Sequence, residues 1–107
     1  VAEVEVCALD ELPPGTVRIV RADGRNIGVY NCAGSLYALE DRCSHDDGPL
    51  CEGDWWPDQC VVACPRHGAR FDIRTGAALT LPAYIPVDTF RARVRDDGMI
   101  VLDLPLG

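Results

Sequence analysis

Two short stretches of the chain bring metal-binding side chains together: Cys43-Ser44-His45 and, after a spacer of eighteen residues, Cys64-Pro65-Arg66-His67. Both histidines of the chain lie in them. A thiolate and an imidazole one or two residues apart can grip a metal from a single loop, so two such loops supply four ligands. The same four side chains could close round zinc in a tetrahedral structural site or hold an iron–sulfur centre, and ligand type alone leaves both open. Gly48-Pro49 and Gly68 follow the boxes, as a backbone turning tightly round a bulky group requires. The bland alternative is two surface histidines and two core cysteines that happen to fall close together. It leaves the pairing of both histidines with cysteines unexplained.

The elements that must position these boxes read as strands. Val17 to Ala22 and Arg25 to Asn31 flank Asp23-Gly24, a pair suited to a two-residue hairpin in which both turn positions need positive φ. Ala33-Gly34 then turns the chain into Ser35 to Glu40, giving a three-strand meander. Near the end, Phe90, Ala92 and Val94 alternate with Arg91, Arg93 and Arg95, and Asp97-Gly98 leads into Met99 to Leu104, a half-buried hairpin. The one weak helical candidate, around Leu9 to Leu12, is stopped after a turn by Pro13-Pro14-Gly15. The fold class expected is all-β. Between meander and hairpin, Asp41 to Pro86 is rich in Cys, His, Gly, Pro and Trp, with only short apolar runs such as Cys60 to Ala63. A long aperiodic segment inside a compact domain is usually functional or disordered, and its ligand types favour function.

With 107 residues, the chain is expected to form one domain over 1–107, the ligand-bearing segment being a subdomain of about 41–86. Pro82 and Pro86 interrupt the most apolar stretch, so no membrane helix is expected. Glu3 and Glu5 stand where a basic, then apolar, leader would be, and the location expected is cytoplasmic. A net charge of −7 argues against nucleic acid and for a basic partner. Acidic residues gather at Glu40, Asp41, Asp46, Asp47, Glu52, Asp54 and Asp58; they either steer a partner or are ordinary solvated surface. Of the six cysteines, Cys7, Cys32, Cys51 and Cys60 have no ligand role and are read mostly as buried free thiols, Cys51 lying nearest the surface. Trp55 and Trp56 are read as packing a long turn, and Arg91, Arg93 and Arg95 as a solvated or edge-protecting strand face.

The boxes, with Cys-Pro-x-His-Gly in the second, Phe71-Asp72, Thr75-Gly76, Pro82, Pro86 and the terminal hairpin, resemble the Rieske iron–sulfur family over nearly the whole chain. The resemblance implies an antiparallel β-sandwich or barrel with a small cluster-binding subdomain inserted between strands. It also implies one [2Fe–2S] cluster per chain, Cys43 and Cys64 on one iron and His45 and His67 on the other. Neutral imidazoles in place of two thiolates ease reduction, and the family spans about −150 to +300 mV. The histidine iron would be the reduced one, its imidazole edges lying at the surface as a short exit for the electron. The eighteen-residue spacer is slightly longer than expected, the extra length being assigned to Trp55-Trp56-Pro57-Asp58.

Departures inside the boxes select a branch. The cytochrome bc type adds a cysteine to each box and bridges them; here Asp46, Asp47, Gly48 and Arg66 exclude that. Ala69 and Phe71 stand where high-potential relatives offer hydroxyl donors to the cluster, so the low-potential soluble ferredoxin is the better match. The function implied is transient electron carriage, as a monomer, from a flavin-dependent ferredoxin reductase to a terminal oxygenase such as a ring-hydroxylating dioxygenase. The chain would not be an enzyme by itself and has no catalytic residue: a mononuclear oxygenase needs two further histidines. Alternatives are an accessory ferredoxin of iron–sulfur assembly, a nitrite reductase small subunit, and, more remotely, the structural zinc module.

Overall fold

The structure, a computed structural model, describes residues 2–22, 24–42, 49–66, 68–81, 83 and 85–105. The expectations resting on Asp23, Cys43, Ser44, His45, Asp46, Asp47, Gly48, His67 and Pro82 fall outside these residues. The chain runs through β1 (Ala2–Ala8), a 3-10 turn (Leu9–Glu11), β2 (Val17–Ala22), β3 (Arg25–Cys32), β4 (Ser35–Glu40), β5 (Trp55–Trp56), β6 (Val61–Ala63), β7 (Arg70–Asp72), β8 (Thr89–Val94) and β9 (Met99–Leu104). Two antiparallel sheets result. One has six strands in the order β1-β9-β8-β4-β3-β2, curled towards a barrel, and the other has three, β5-β6-β7. The short sheet is inserted between β4 and β8, which pair directly through Ala38–Phe90 and Leu39–Thr89.

The meander forms where turn chemistry asks for it. Ala33 and Gly34 both take positive φ, 54° and 99°, the condition of a two-residue turn that matches strand twist. Asp96 to Gly98 closes the last hairpin, Gly98 at φ 85° beside the Arg95–Met99 pair. The leading strand β1 was not expected, although Val4 and Val6 alternate with Glu3 and Glu5. In the sheet the valines pack on the barrel core, while the glutamates reach Arg93 on β8 and Arg95 just beyond its end. The arginine row is therefore not an edge guard. Strand β8 lies inside the sheet between β9 and β4. Arg93 bonds Asp103 and Glu3, and Arg95 holds the Asp97 carboxyl down at about 2.

Strand β3 joins two cores. Ile27 and Val29 point into the barrel with Leu12, Ile100, Leu102 and Leu104. Tyr30 and Cys32 point the other way, into a second core with Leu39, Leu50, Val62, Phe71 and Ile73 under the short sheet. Asn31, the buried polar side chain of this strand, is satisfied: its amide donates to the Leu12 carbonyl (2.8 Å) and its oxygen accepts from Gly34 N (2.7 Å).

Two cysteines depart from expectation. Cys32, ending β3, and Cys60, preceding β6, are disulfide-bonded with Cα atoms 5.6 Å apart. They meet because the Trp56–Cys60 turn, closed by Cys60 N on the Trp56 carbonyl and by a left-handed Cys60 (φ 55°), aims Cys60 at the open end of β3. Cys7 and Cys51 are buried free thiols. The bridge joins positions 28 apart and ties the short sheet to the meander, so breaking it frees the denatured chain. Replacing both cysteines by alanine is expected to lower the unfolding free energy by about 3 kcal/mol. Urea titration of the variant beside the oxidised protein reads the difference, and peptide mapping without reductant reads the bond itself.

Candidate metal centre

The second box is the tip of a hairpin. Val61–Asp72, Val62–Phe71 and Ala63–Arg70 pair β6 with β7, and the ladder continues through Cys64 N on the Ala69 carbonyl (2.7 Å). Gly68, at φ 73°, donates its N–H back to the Cys64 carbonyl (2.9 Å). Cys64 is a free thiol, buried at 1% exposure, at the root of this loop. It is the one expected ligand within the described residues; Cys43, His45 and His67 lie outside them. Among the described residues no three His, Cys, Asp or Glu side chains gather as a metal site.

The flanks of the first box are described, and they place its arm against the second. Asp41 leaves β4 with its N–H on the Asn26 carbonyl (2.7 Å), and its Oδ1 accepts from Leu50 N (2.8 Å) and Cys51 N (2.6 Å). Gly53 N then donates to the Leu50 carbonyl (3.1 Å), turning the chain across the base of the second box. A Cβ on Gly53 would collide with the Ala63 carbonyl oxygen and touch Pro65, so only glycine permits this approach. Ala63 N bonds the Asp54 carbonyl (2.8 Å) from the same arm. Both box-bearing loops thus spring from one place, with a buried free thiol at the foot of one. That arrangement fits a cluster gripped from two loops.

The arm is also pinned to the meander. Gly28 leaves a gap on the outer face of β3, and Cys51 fills it: a Cβ there would overlap the Cys51 thiol. Cys51, expected nearest the surface, is 3% exposed for this reason. The Tyr30 ring packs edge-on against Trp55, centroids 4.9 Å apart, which bears out the packing reading of Trp55. Trp56 lies under the Arg70 guanidinium, 4.7 Å from its centroid. Ala69 and Phe71 are fully buried beside Cys64 and offer hydrocarbon alone. Glu52, Asp54 and Asp58 are exposed along this end. The sequence singles out neither Gly53 nor Gly28, and it groups Asp41 with the acidic surface, whereas Asp41 is engaged by backbone N–H groups. Asp41 had a visible signal, a carboxylate just ahead of an aperiodic loop, where Asp commonly bonds backbone N–H groups.

Known proteins agree with this geometry. A family model for the Rieske [2Fe-2S] domain matches residues 2–91. The 3-phenylpropionate/cinnamic acid dioxygenase ferredoxin subunit of Photorhabdus laumondii is 37% identical over 100 residues, covering 94% of this chain and 93% of the relative. The ferredoxin of carbazole 1,9a-dioxygenase from Nocardioides aromaticivorans superposes with a TM-score of 0.88 at 33% identity, covering 95% and 97% of the two chains. A chain in the complex of reduced oxygenase and oxidized ferredoxin of carbazole 1,9a-dioxygenase gives 0.85 at 34% identity, with 94% and 91% covered.

Burial pushes the Cys51 thiol from 9.0 up to about 12, and raises the Tyr30 phenol in the same way. The fold favours the neutral form of each, whereas the unfolded chain ionises them near their ordinary values. Their contribution is therefore whole below about pH 8.5 and declines as pH rises towards the folded value of Cys51. Native protein at about pH 9 is expected to leave Cys51 unalkylated by iodoacetamide, while denatured protein reacts fully, as peptide mass spectrometry reads. The urea midpoint should fall between about pH 8 and pH 11, less steeply in Cys51→Ala.

Proposed function

Because the chain belongs to the Rieske [2Fe–2S] family, whose cofactor decides between the iron–sulfur and zinc readings, we propose that it carries single electrons from a flavin-dependent reductase to a terminal oxygenase of the ring-hydroxylating type. The observation that carries this reading is the extent of the match: likeness to a carbazole dioxygenase ferredoxin runs over 95% of this chain and 97% of that one. Cys43 and Cys64 would hold one iron, His45 and His67 the other, within a subdomain of about 41–86. With both histidines so used, the chain keeps none for a mononuclear oxygenase site.

Bound there, the cluster supplies a one-electron couple within the family's range of about −150 to +300 mV. The chain's own part is to hold and tune it. Cys64 presents its thiol from a hairpin root fixed by two backbone bonds, and Gly53 keeps the first arm against that root. Ala69 and Phe71 give no hydroxyl that would favour the more negative reduced state, so the couple would lie low in the range. Exposed Glu52, Asp54 and Asp58 offer carboxylates to a basic docking face, beside the exposed arginines Arg42, Arg66, Arg70 and Arg74.

The carrier would work in the cytoplasm. Among the described residues no helix is long and apolar enough to cross a membrane. Cytoplasmic thiols reduce accessible disulfides, but Cys32 and Cys60, at 6% and 0% exposure, leave an attacking thiolate no approach without local opening.

Two experiments test the proposal. Mixed with a flavoprotein reductase and a ring-hydroxylating oxygenase, the holoprotein is expected to support product formation that stops when it is omitted and slows as salt rises, since steering reaches only about 8 Å at physiological ionic strength. Failure with several such pairs would sink the carrier role. For the ligands, His45→Ala and Cys64→Ala are each expected to abolish the wild-type visible and EPR spectra. Either variant keeping both spectra with stoichiometric iron and sulfide would overturn the assignment.

A further inference from the structure

The Asp41 carboxylate sits where the loop of the first box begins and where it ends. One oxygen, Oδ1, accepts from Leu50 N at 2.8 Å and Cys51 N at 2.6 Å, while the Asp41 N–H is anchored on the Asn26 carbonyl of β3 at 2.7 Å. Among the described residues, the flanks of the segment 43–48 are thus joined through one side-chain atom. Leu50 and Cys51 are both buried, at 0% and 3% exposure, so water is poorly placed to replace that atom on their N–H groups.

We propose that Asp41 is a positioning residue for the cluster: its Oδ1, bridging two backbone N–H groups, clamps the mouth of the loop bearing Cys43 and His45 and fixes how that loop meets the Cys64 hairpin. This rests on the ligand reading given above. The downstream end of the clamp is itself immobilised, because the Cys51 thiol is seated in the gap at Gly28 and Gly53 is pressed on the Ala63 carbonyl. The upstream end leaves β4, whose register with β3 runs to the Ile27–Glu40 pair. Both flanks are thus fixed to the scaffold, and among the described residues Asp41 Oδ1 is the atom that sets one against the other. Both hydrogen bonds go to one oxygen, so the requirement is an acceptor at that point. An amide oxygen placed there serves as well as a carboxylate.

Three variants test this, read by EPR of the reduced holoprotein, by midpoint potential and by the rate at which a chelator bleaches the visible bands. Asp41→Asn keeps the acceptor in place and is expected to match wild type in EPR and to bleach within two-fold of its rate. Asp41→Ala leaves two buried N–H groups without a partner and is expected to bleach about ten-fold faster, with displaced g-values. Asp41→Glu keeps the charge but moves the oxygen by a methylene, and is expected to alter EPR and potential. Wild-type behaviour of Asp41→Ala, or equal damage in Asp41→Asn and Asp41→Ala, would overturn the clamp. Should Asp41→Ala not fold, the contrast decides: an unchanged Asn variant with a changed Glu variant supports the proposal, and any other pattern rejects it. His45→Ala in the same assays separates the two levels of the argument. If it loses the wild-type spectrum while Asp41→Ala keeps it, the clamp alone fails; if His45→Ala keeps it, the ligand reading falls.

Discussion

From Ile27 to Cys32 the third strand has no face open to water, so every side chain on it must suit one of the two cores it separates. Ile27 and Val29 fill a barrel; Gly28, Tyr30 and Cys32 form the floor on which the inserted segment rests. Each outer residue makes a different attachment. Gly28 receives Cys51, Tyr30 meets Trp55, and Cys32 is bonded to Cys60. An aperiodic insert of this kind has little core of its own, because β5, β6 and β7 are two to three residues long. Its order is borrowed from β3.

Much of the scaffold was legible in the sequence because turns and alternation are local properties. Ala33-Gly34 and Asp97-Gly98 announce their hairpins by residue type, and the meander strands end where those pairs begin. Strand β1 escapes the sequence because Glu3 and Glu5 speak there only against a leader, and because its partner, β9, lies at the far end of the chain. The Cys32–Cys60 bond was illegible for the same reason: nothing in either neighbourhood reveals that a left-handed turn aims one cysteine at the other. At the site, residue types identified the boxes and the family they resemble. What sequence could not supply was the closeness of the two arms, which depends on Gly53 lying against Ala63 and on Cys51 entering the gap at Gly28.

The charged residues divide between two ends of the molecule. Arg93 and Arg95 are engaged by Glu3, Glu5, Asp97 and Asp103, so a row that reads as basic along one strand is locally neutralised across three. Exposed pairs of this kind contribute little stability each, and their effect here is on the field. They leave the arginine row a poor candidate for docking. Glu52, Asp54 and Asp58 face water on the inserted segment, interspersed with the exposed Arg66, Arg70 and Arg74.

The insertion of the short sheet between β4 and β8 also sets an order of events during synthesis. Strands β2 to β4 can pair without any later part of the chain, since each lies beside its sequence neighbour. Strand β4 must then wait for the whole insert before β8 covers its free edge, and β1 waits for β9, nearly the length of the chain later. Closure of such distant pairs is entropically slow, and an all-β domain of this kind folds in milliseconds to seconds where helical bundles take microseconds. Throughout that interval the nascent meander carries an unpaired strand edge and an uncovered β3 face. The newborn chain is thus most vulnerable to aggregation after the meander has formed and before its last hairpin arrives.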